Sequence, residues 1–267
     1  AVLLAFAERH GWPVVAKAQR GGYDGRGVWI LDGPVAASML VEECAASGVA
    51  LLVEQFVPIQ KELAVLVVRR PAGEMAVYPV VETVQQDGIC REVLAPAPVP
   101  PEVAAEARAI GERVALLTEA TGVVATELFW AADGRILINE VATRPHNSGH
   151  FSIEGARTSQ FENHLRAVLD WPLGPVDLVA PVVVMANLLG TGSESIAARV
   201  PATLNIDPGV HPYLYGKQVR PGRKIGHVNA LGERLDETRE RAVRAAALLV
   251  GDRTDRVSTV ERVTEDQ

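Results

Sequence analysis

Cysteine is scarce in this sequence, and long apolar runs are missing. Only Cys44 and Cys90 occur among its 267 residues, too few for a disulfide framework and without the spacing of a metal-binding motif. We interpret both as reduced thiols of a cytoplasmic protein. No stretch reaches the roughly 18 uninterrupted apolar residues that a membrane helix needs. The apolar start of the chain, residues 1–10, lacks the basic region and the cleavage site of a signal peptide.

Basic residues are outnumbered by acidic ones. Lys and Arg total 26 against 33 Asp and Glu, which gives a formal net charge of −7. This balance argues against a protein that coats nucleic acid. Hydrophobic residues make up 48% of the chain and charged residues 22%, as in a globular protein with a sizeable core. The length allows one large domain or two small ones.

Helix and strand patterns alternate at the start of the chain, and strand patterns dominate later. Apolar spacing predicts helices over residues 3–10, 35–47, 102–120, 159–169 and 239–250. Short apolar runs predict strands over residues 14–18, 28–31 and 50–57. Two hairpins are predicted, one around residues 71–73 and one around Asp133-Gly134. The turn-rich region after residue 181 predicts a small β-rich closing domain.

A glycine-rich segment follows the first predicted strand. Lys17 ends that strand, and residues 21–27 read GGYDGRG. Four glycines in seven residues let the backbone fold tightly and present N–H groups to an anion, to which the lysine adds a positive charge. Neither common nucleotide-binding glycine motif occurs. A flexible hairpin is the alternative, but Tyr23, Asp24 and Arg26 between the glycines favour a ligand-binding loop.

Two glutamates flank the second predicted hairpin. A two-residue turn at Asp133-Gly134 places Glu127 directly opposite Glu140. Carboxylates that face each other across a strand pair repel, at roughly 5 Å between Cβ atoms. A divalent cation between them removes that cost, and oxygen ligands suit Mg²⁺. A solvated polar face is the alternative, which apolar Phe129 and Ile138 on the same predicted face disfavour.

The segment after Glu140 is polar and rich in possible anion ligands. Residues 144–150 read RPHNSGH. Two histidines four residues apart could bind zinc on a helix, but Pro145, Asn147 and Gly149 argue against a helix there. We interpret the segment as a loop around a small anion, since arginine matches a planar carboxylate geometrically. A structural polar turn remains the alternative.

Two further segments are candidate binding sites. Residues 217–224 carry four cations within eight residues and could hold a phosphate monoester, or form an ordinary solvated loop. Residues 54–57 close a buried strand, and Glu62 follows them. These could bind an adenine and a ribose, or simply end a strand.

Together these motifs resemble those of the ATP-grasp ligases and, within them, the N5-carboxyaminoimidazole ribonucleotide synthetases of purine biosynthesis. The resemblance runs from about residue 11 to residue 230 in family order. It is carried by K-x-x-R-GGYDGRG, VEQFV with Glu62, QQDGI, TELF, LINEVATRPHNSGH and YGKQVRPGRKIGH. The pairing of GGYDGRG with RPHNSGH is specific to this family.

The resemblance implies an α+β ATP-grasp fold. Residues 1–58 would be part of the lid subdomain, and residues 59–175 the catalytic subdomain with its larger antiparallel sheet. Residues 176–267 would form a small β-rich C-terminal domain and a helical tail. Family members carry a Rossmann-like domain before the lid, so we expect this chain to lack their N-terminal domain.

The resemblance also implies a role for each motif. ATP would be bound by Lys17, Gly22, Tyr23, Asp24, Gly25, Arg26, Gly27, Glu54, Gln55, Phe56, Val57, Glu62, Gln85, Asn139 and Glu140. Gln85 departs from the family pattern, since many relatives have a histidine at this position. Mg²⁺, or Mn²⁺ in its place, would be held by Glu127 and Glu140. Bicarbonate or carboxyphosphate would be surrounded by Arg144, His146, Asn147 and Ser148. The ribonucleotide would be bound by Tyr23, Asp24, Arg26, Lys217, Arg223 and Lys224.

The implied activity is that of a carboxylate–amine ligase. Bicarbonate and ATP would carboxylate 5-aminoimidazole ribonucleotide through carboxyphosphate, releasing ADP and phosphate, in a cytoplasmic homodimer with neither nucleic-acid nor membrane partners. A sister ATP-grasp ligase, such as the formate-dependent transformylase, is one alternative. A non-catalytic nucleotide-binding remnant is another.

Overall fold

Two antiparallel sheets organise the chain. A computed structural model describes residues 2–22, 25–191 and 196–251. One sheet has three strands and the other has nine. This is the mixed helix-and-strand architecture that the sequence predicts. Among the described residues, no helix combines the length and the apolar character that crossing a membrane requires.

The three-stranded sheet, with two helices, makes up the first part of the chain. It has the order β2-β1-β3. Its elements are α1 (Val2–His10), β1 (Val14–Ala18), β2 (Val28–Leu31), α2 (Pro34–Ser47) and β3 (Leu51–Gln55). The helices and the sheet share one apolar cluster that includes buried Leu3, Val14, Leu40 and Cys44. Helix α2 ends at Gly48, as predicted, because φ is +70° there and glycine adopts that conformation without strain.

The nine-stranded sheet has the order β11-β12-β10-β7-β6-β4-β8-β9, with β5 paired to β4. Its strands are β4 (Ile59–Arg69), β5 (Met75–Val77), β6 (Val81–Gln86), β7 (Ile89–Ala95), β8 (Gly122–Ala131), β9 (Ile136–Ala142), β10 (Val182–Leu189), β11 (Val210–Leu214) and β12 (Lys224–Gly232). Strand β10 pairs with β7, so strands from the last third of the chain extend the same sheet. The predicted domain boundaries stay predictions.

Helices cover both faces of the large sheet. They are α3 (Pro101–Thr118), α4 (Ser152–Gly155), α5 (Gln160–Val168), α6 (Val200–Ile206) and α7 (Leu235–Val250). Alternate residues of β4 are buried on opposite faces, Val65 in a cluster with α3 and Leu66 in a cluster with Phe151 and Ala167. Helix α7 covers β10 and β12. Strand β4 is therefore apolar along most of its length because both of its faces are buried.

Three details of the sequence prediction concern the last helix, the cysteines and the chain end. The last helix begins at Leu235, four residues before the predicted start, because Asp236 and Glu237 occupy its first turn, where acidic side chains interact favourably with a helix N-terminus. Cys44 and Cys90 are both buried and unbridged. The sequence also predicts that the charged tail beyond the last helix is frayed, and residues 252–267 of this tail lie outside the described residues.

Candidate functional site

The two predicted carboxylates face each other across β8 and β9. Glu127 pairs with Glu140, as the sequence predicts. The register near the turn differs, however: Leu128 pairs with Ile138, one residue out of step with a two-residue turn, and a bulge at Asn139 brings the glutamates opposite each other. The predicted position of Ile138 on the glutamate face is wrong, because its partner Leu128 is buried on the α3 side.

His146 is the third member of this cluster. Its Nε2 lies 3.4 Å from Glu127 Oε1, and the ligand atoms of His146, Glu127 and Glu140 all lie within 4.8 Å of one another. The backbone N–H of Ser148 donates to His146 Nδ1 at 3.3 Å, so Nε2 is the ring nitrogen that faces Glu127. The arrangement fits a hard cation held by the two carboxylate groups, with the imidazole beside them.

Lys17 joins the two sheets at this point. Its Nζ lies 2.7 Å from Glu54 Oε2 on the neighbouring strand β3. It also donates to Asn139 Oδ1 at 3.2 Å, across to the bulge in β9. The ammonium group thus reaches Asn139, the residue before Glu140, although Lys17 and Asn139 come from different sheets. A phosphate between the sheets would meet both the lysine and the carboxylate pair.

The glycine-rich segment packs against the turn between β6 and β7. Ala18 donates its backbone N–H to Gly27 O at 2.7 Å, which closes the base of the loop. Gly25 has a φ of +74°, and a Cβ there would lie 3.0 Å from Gly88 O, so this contact requires glycine. Gly22 and Arg26 also lie in the loop, and a Cβ at Gly22 would lie 3.0 Å from Arg26 O. Two predicted residues lie outside the described residues, Tyr23 and Asp24.

The segment that links the sheets contains the predicted adenine-binding residues. Gln55 ends β3, and its Nε2 lies 2.6 Å from His10 Nδ1, so this side chain faces α1. Phe56 is 40% exposed, and Val57 is half-buried. Glu54 is the ion-pair partner of Lys17. The structure thus places Glu54 beside the site and directs the Gln55 side chain elsewhere.

Glu62 and Gln85 lie together on β4 and β6. Burial raises the pKa of the Glu62 carboxyl to about 6, and a hydrogen bond from Gln85 partly offsets this. A carboxylate that is costly to keep charged gains from any donor that reaches it. Ribose hydroxyls are such donors, so the pair fits the predicted ribose contact chemically.

The RPHNSGH segment, residues 144–150, forms a short loop after β9, here called the anion loop. Arg144 is exposed and donates to Pro145 O at 3.1 Å. Ser148 is 2% exposed, and Asn147 exchanges two 2.9 Å amide hydrogen bonds with Asn187 on β10. The segment is not helical except for a single 3₁₀ turn, in agreement with the prediction of a loop.

Sequence reasoning missed the residues that support the anion loop from other elements. Asn187 is one, and its Nδ2 also donates to Cys90 O at 3.0 Å. Gln160 is another, and it is completely buried. Ser159 accepts from the Glu162 N–H, the S-x-x-E signature of a helix start, which predicts the position of α5. No local pattern connects that helix with a loop ten residues earlier.

Four aromatic rings form a stack behind the anion loop, which we call the ring stack. They are Phe161, His150, His227 and Tyr213, with successive centroids 5.5, 4.9 and 4.7 Å apart. Tyr213 also donates its hydroxyl to Glu154 on α4. The ring stack therefore ties the anion loop to strands β11 and β12.

The ring stack continues to the basic segment 217–224. Tyr215 OH lies 2.7 Å from His227 Nδ1, and Lys217 Nζ lies 5.0 Å from the centre of the Tyr215 ring. Burial lowers the pKa of His150 to about 4 and that of His227 to about 3, with smaller effects from neighbouring positive charges. Both imidazoles are therefore neutral near pH 7.

The basic segment forms a loop before β12. Lys217 Nζ donates to Lys224 O at 3.4 Å, and Arg223 Nη1 donates to Gln218 O at 3.3 Å. The N–H of Gly190 in turn donates to Arg223 O at 2.9 Å. The loop that carries the cations is thus anchored to the end of β10, the strand that also carries Asn187.

Two protein families match this chain. The ATP-grasp domain matches residues 2–161, and the phosphoribosylaminoimidazole carboxylase C-terminal domain matches residues 183–241. The N5-carboxyaminoimidazole ribonucleotide synthase of Mycobacterium tuberculosis is 50% identical over 245 residues, which is 90% of this chain and 57% of that protein. The chain thus spans little more than half the length of this relative.

Solved structures from Aspergillus clavatus are also similar. A carboxyaminoimidazole ribonucleotide synthase complexed with ATP superposes with a TM-score of 0.83 at 31% identity, covering 92% of this chain and 65% of that one. An N5-carboxyaminoimidazole synthase in complex with ADP and 5-aminoimidazole ribonucleotide has a TM-score of 0.81 at 29% identity, covering 92% of this chain and 64% of that one.

Proposed function

Since this chain belongs to the ATP-grasp family, we propose that it catalyses the ATP-dependent carboxylation of 5-aminoimidazole ribonucleotide by bicarbonate. The products are N5-carboxyaminoimidazole ribonucleotide, ADP and phosphate. The observation that carries the proposal is the pairing of Glu127 with Glu140 directly beside the anion loop. The pairing supports a cation site next to an anion site at one edge of the sheet, an arrangement that a ligase that activates an anion with ATP requires.

The phosphates of ATP are bound between the two sheets. Glu127 and Glu140 would hold Mg²⁺, or Mn²⁺ in its place, because they offer oxygen ligands on adjacent strands. The bound ion neutralises charge on the transferred phosphoryl group. Lys17 contributes a positive charge from the lid side, and Asn139 holds its ammonium in place. The glycine-rich segment supplies its backbone N–H groups, through Gly22, Tyr23, Asp24, Gly25, Arg26 and Gly27.

The nucleoside is bound along the segment between the sheets. Glu54, Phe56 and Val57 contact the adenine, and Gln55, whose side chain faces α1, contributes its backbone. Glu62 accepts the ribose hydroxyls, with Gln85 beside it. Two observations support this assignment. The exposed ring of Phe56 offers an apolar surface for the adenine. The raised pKa of Glu62 shows a carboxylate that hydrogen-bond donors such as the ribose hydroxyls would stabilise in its charged form.

The anion loop binds bicarbonate and then carboxyphosphate. A bicarbonate oxygen attacks the γ-phosphorus of ATP, the bond to the ADP oxygen breaks, and carboxyphosphate forms. Arg144, Asn147 and Ser148 orient the anion, and His146 donates a hydrogen bond from Nε2 to an anion oxygen. Carboxyphosphate then yields CO₂ and phosphate. The amine of the ribonucleotide attacks the CO₂ to form the N-carboxy product, and the released phosphate takes up the N–H proton that the amine loses. Closure of the site protects the intermediate from water.

The ribonucleotide is bound by residues from both ends of the chain. Lys217, Arg223 and Lys224 hold its phosphate, while Tyr23, Asp24 and Arg26 contact the rest of the molecule.

We also propose a cytoplasmic homodimer. Equilibrium sedimentation at micromolar concentration tests the dimer.

ADP release is the measurement that tests the activity. The chain is assayed with Mg·ATP and bicarbonate, with and without 5-aminoimidazole ribonucleotide, and again after extension at its N-terminus to the length of its relatives. Release that requires both bicarbonate and the ribonucleotide supports the proposal. Release with formate in place of bicarbonate would identify the sister transformylase instead. Absence of ADP release from both the given chain and the extended chain would favour a non-catalytic nucleotide-binding remnant.

The Arg223→Ala variant tests the phosphate assignment. We expect the KM for the ribonucleotide to rise roughly tenfold, because a charge-assisted hydrogen bond to phosphate is lost, while the KM for ATP changes little. Arg220→Ala is the matched control, since Arg220 lies in the same loop and donates to Gln218 Oε1 at 2.9 Å. Equal changes in the two Michaelis constants of Arg223→Ala would contradict the assignment.

The pH dependence of ATP binding tests Glu62. The pKa of this carboxyl is raised to about 6, so it takes up a proton as the pH falls through that value and loses its charge as an acceptor. We expect the KM for ATP of the wild type to rise below about pH 6 relative to that of Glu62→Gln, in which no proton is taken up at this position. Parallel pH profiles for the two proteins would show that Glu62 does not contact ATP.

A further inference from the structure

Gln160, the first residue of α5, pairs with the backbone of the anion loop. The His146 N–H donates to Gln160 Oε1 at 2.9 Å, and Gln160 Nε2 donates back to His146 O at 2.8 Å. The same Nε2 lies 2.9 Å from His150 Nδ1. Gln160 is 0% exposed, so all of these bonds are made away from water. One buried amide side chain thus contacts both histidines of the loop.

The fit between Gln160 and the loop is close. A Cβ on Gly149 would lie 2.4 Å from Gln160 Oε1, so glycine is required there to make room for the amide. The Gln160 N–H donates to Ser152 Oγ at 2.9 Å, and Ser152 Oγ donates to Gly149 O at 2.6 Å. Because β9 ends at Ala142, the anion loop has no strand partner whose backbone hydrogen bonds could hold its conformation. The hydrogen bonds to Gln160 and Ser152 hold it instead.

The pairing also sets proton positions. A backbone N–H must face the amide oxygen and a backbone carbonyl must face the amide NH₂, so the orientation of Gln160 is determined by His146. The NH₂ group therefore donates to His150 Nδ1, and the proton of that ring is on Nε2. The lowered pKa of His150 agrees with a neutral ring.

We propose that Gln160 is the positioning residue of the anion loop. It holds the His146 backbone so that the imidazole faces Glu127, and it fixes the proton of His150, the second ring of the ring stack. Its effect on bicarbonate affinity rests on the proposed function, whereas its effect on the two imidazoles does not.

Asn163 provides a matched control one helical turn later. It is also 0% exposed and makes the same kind of bidentate pair, with the backbone of Gly174: the Gly174 N–H donates to Oδ1 at 2.8 Å and Nδ2 donates to Gly174 O at 3.1 Å. Its Nδ2 also donates to Tyr78 OH at 3.1 Å. Asn163→Leu and Gln160→Met therefore both remove a fully bonded buried amide from α5, but only the second removes one from the anion loop.

Steady-state kinetics test the effect on substrate. We expect Gln160→Met to raise the KM for bicarbonate roughly tenfold while the KM for ATP stays within about twofold. Gln160→Glu keeps the shape and the acceptor but loses both donors, so it should show the same split and carries the test if the Met variant does not fold. Asn163→Leu should lower the Tm similarly and leave both constants unchanged. Equal kinetic changes in the Gln160 and Asn163 variants would overturn the proposal.

Ring-nitrogen NMR of ¹⁵N-histidine-labelled protein tests the positioning without any assay. We expect the wild type to show His150 protonated on Nε2, and both Gln160 variants to shift the ring signals of His146 and His150. Exposed His211 is the internal reference. Unchanged His146 and His150 signals in the Gln160 variants would refute the positioning role. Absence of bicarbonate-dependent ADP release from the wild type would instead overturn the proposed function, and the NMR result would still decide the role of Gln160.

Discussion

Glu140→Gln is expected to lower the kcat of ADP release by about 10²–10³-fold, an effect of the size seen when one charge-stabilising group is removed from an active site. The variant keeps a side chain of the same shape but removes one charge from the pair that would hold Mg²⁺. Its Tm without ligands should not fall, because two like charges no longer face each other across β8 and β9.

Thermal unfolding with and without Mg·ADP separates binding from chemistry. A ligand that binds the folded state raises the Tm, so the wild type should gain more from Mg·ADP than Glu140→Gln does. Asp133→Asn is the control, since it removes a charge from the same hairpin at an exposed position paired with Arg135. Wild-type turnover in Glu140→Gln would refute the metal assignment.

Lys17→Met is expected to lower kcat/KM for ATP about 10- to 100-fold. A hydrogen bond to a charged partner contributes about 1.5–3 kcal/mol, and in the proposed function Lys17 makes such a bond to the phosphates of ATP. The variant also loses the bond to Asn139, one of the contacts between the two sheets. Its kcat/KM for the ribonucleotide, measured at saturating ATP, should change less.

Lys61→Met is the matched control for Lys17. Lys61 Nζ lies 2.6 Å from Glu82 Oε2, and the Lys61 side chain is 29% exposed against 24% for Lys17, but this ion pair is on the large sheet between β4 and β6. Both variants remove one ion pair and one charge, so nonspecific effects on stability and field should be alike. If the two variants lose activity equally, Lys17 has no special role at the phosphates.

The sequence alone was sufficient for the family and the fold class. The predicted resemblance to the N5-carboxyaminoimidazole ribonucleotide synthetases and the predicted α+β ATP-grasp fold are confirmed by the family matches and the solved structures. Those predictions depend on local motifs that can be recognised without knowing which strands pair. The pairing of β7 with β10 was not predictable in the same way, because a strand pattern specifies burial but not a partner.

The glutamate pair was predicted correctly for an incomplete reason. A simple two-residue turn leads to the observed pairing, but the hairpin reaches it through a shifted register and a bulge at Asn139 that cancel each other. The bulge is also what turns Asn139 towards Lys17 in the other sheet. Nothing in the residues between Asp133 and Glu140 signals such a bulge, and the partner of Asn139 comes from the other sheet.

The supporting residues were beyond the reach of sequence reasoning. Gln160 and Asn187 look like ordinary polar residues of a helix and a strand, and only the fold brings them to the anion loop. The roles assigned to the predicted site residues remain proposals that the variants above test. The structure adds the hydrogen bonds that hold the anion loop, which contains Pro145 and has no strand partner, in a single conformation.

The pairing of β7 with β10 has a consequence for dividing the chain. Val93, Leu94 and Ala95 of β7 are buried, and β10 covers their backbone edge through Val183, Val184 and Met185. A fragment that stops before residue 182 would leave an apolar strand with unpaired N–H and C=O groups, a template on which further copies can add. The segment that matches the ATP-grasp domain, expressed without β10, would therefore aggregate through β7. The pairing with β10 therefore protects the edge of the segment that matches the ATP-grasp domain.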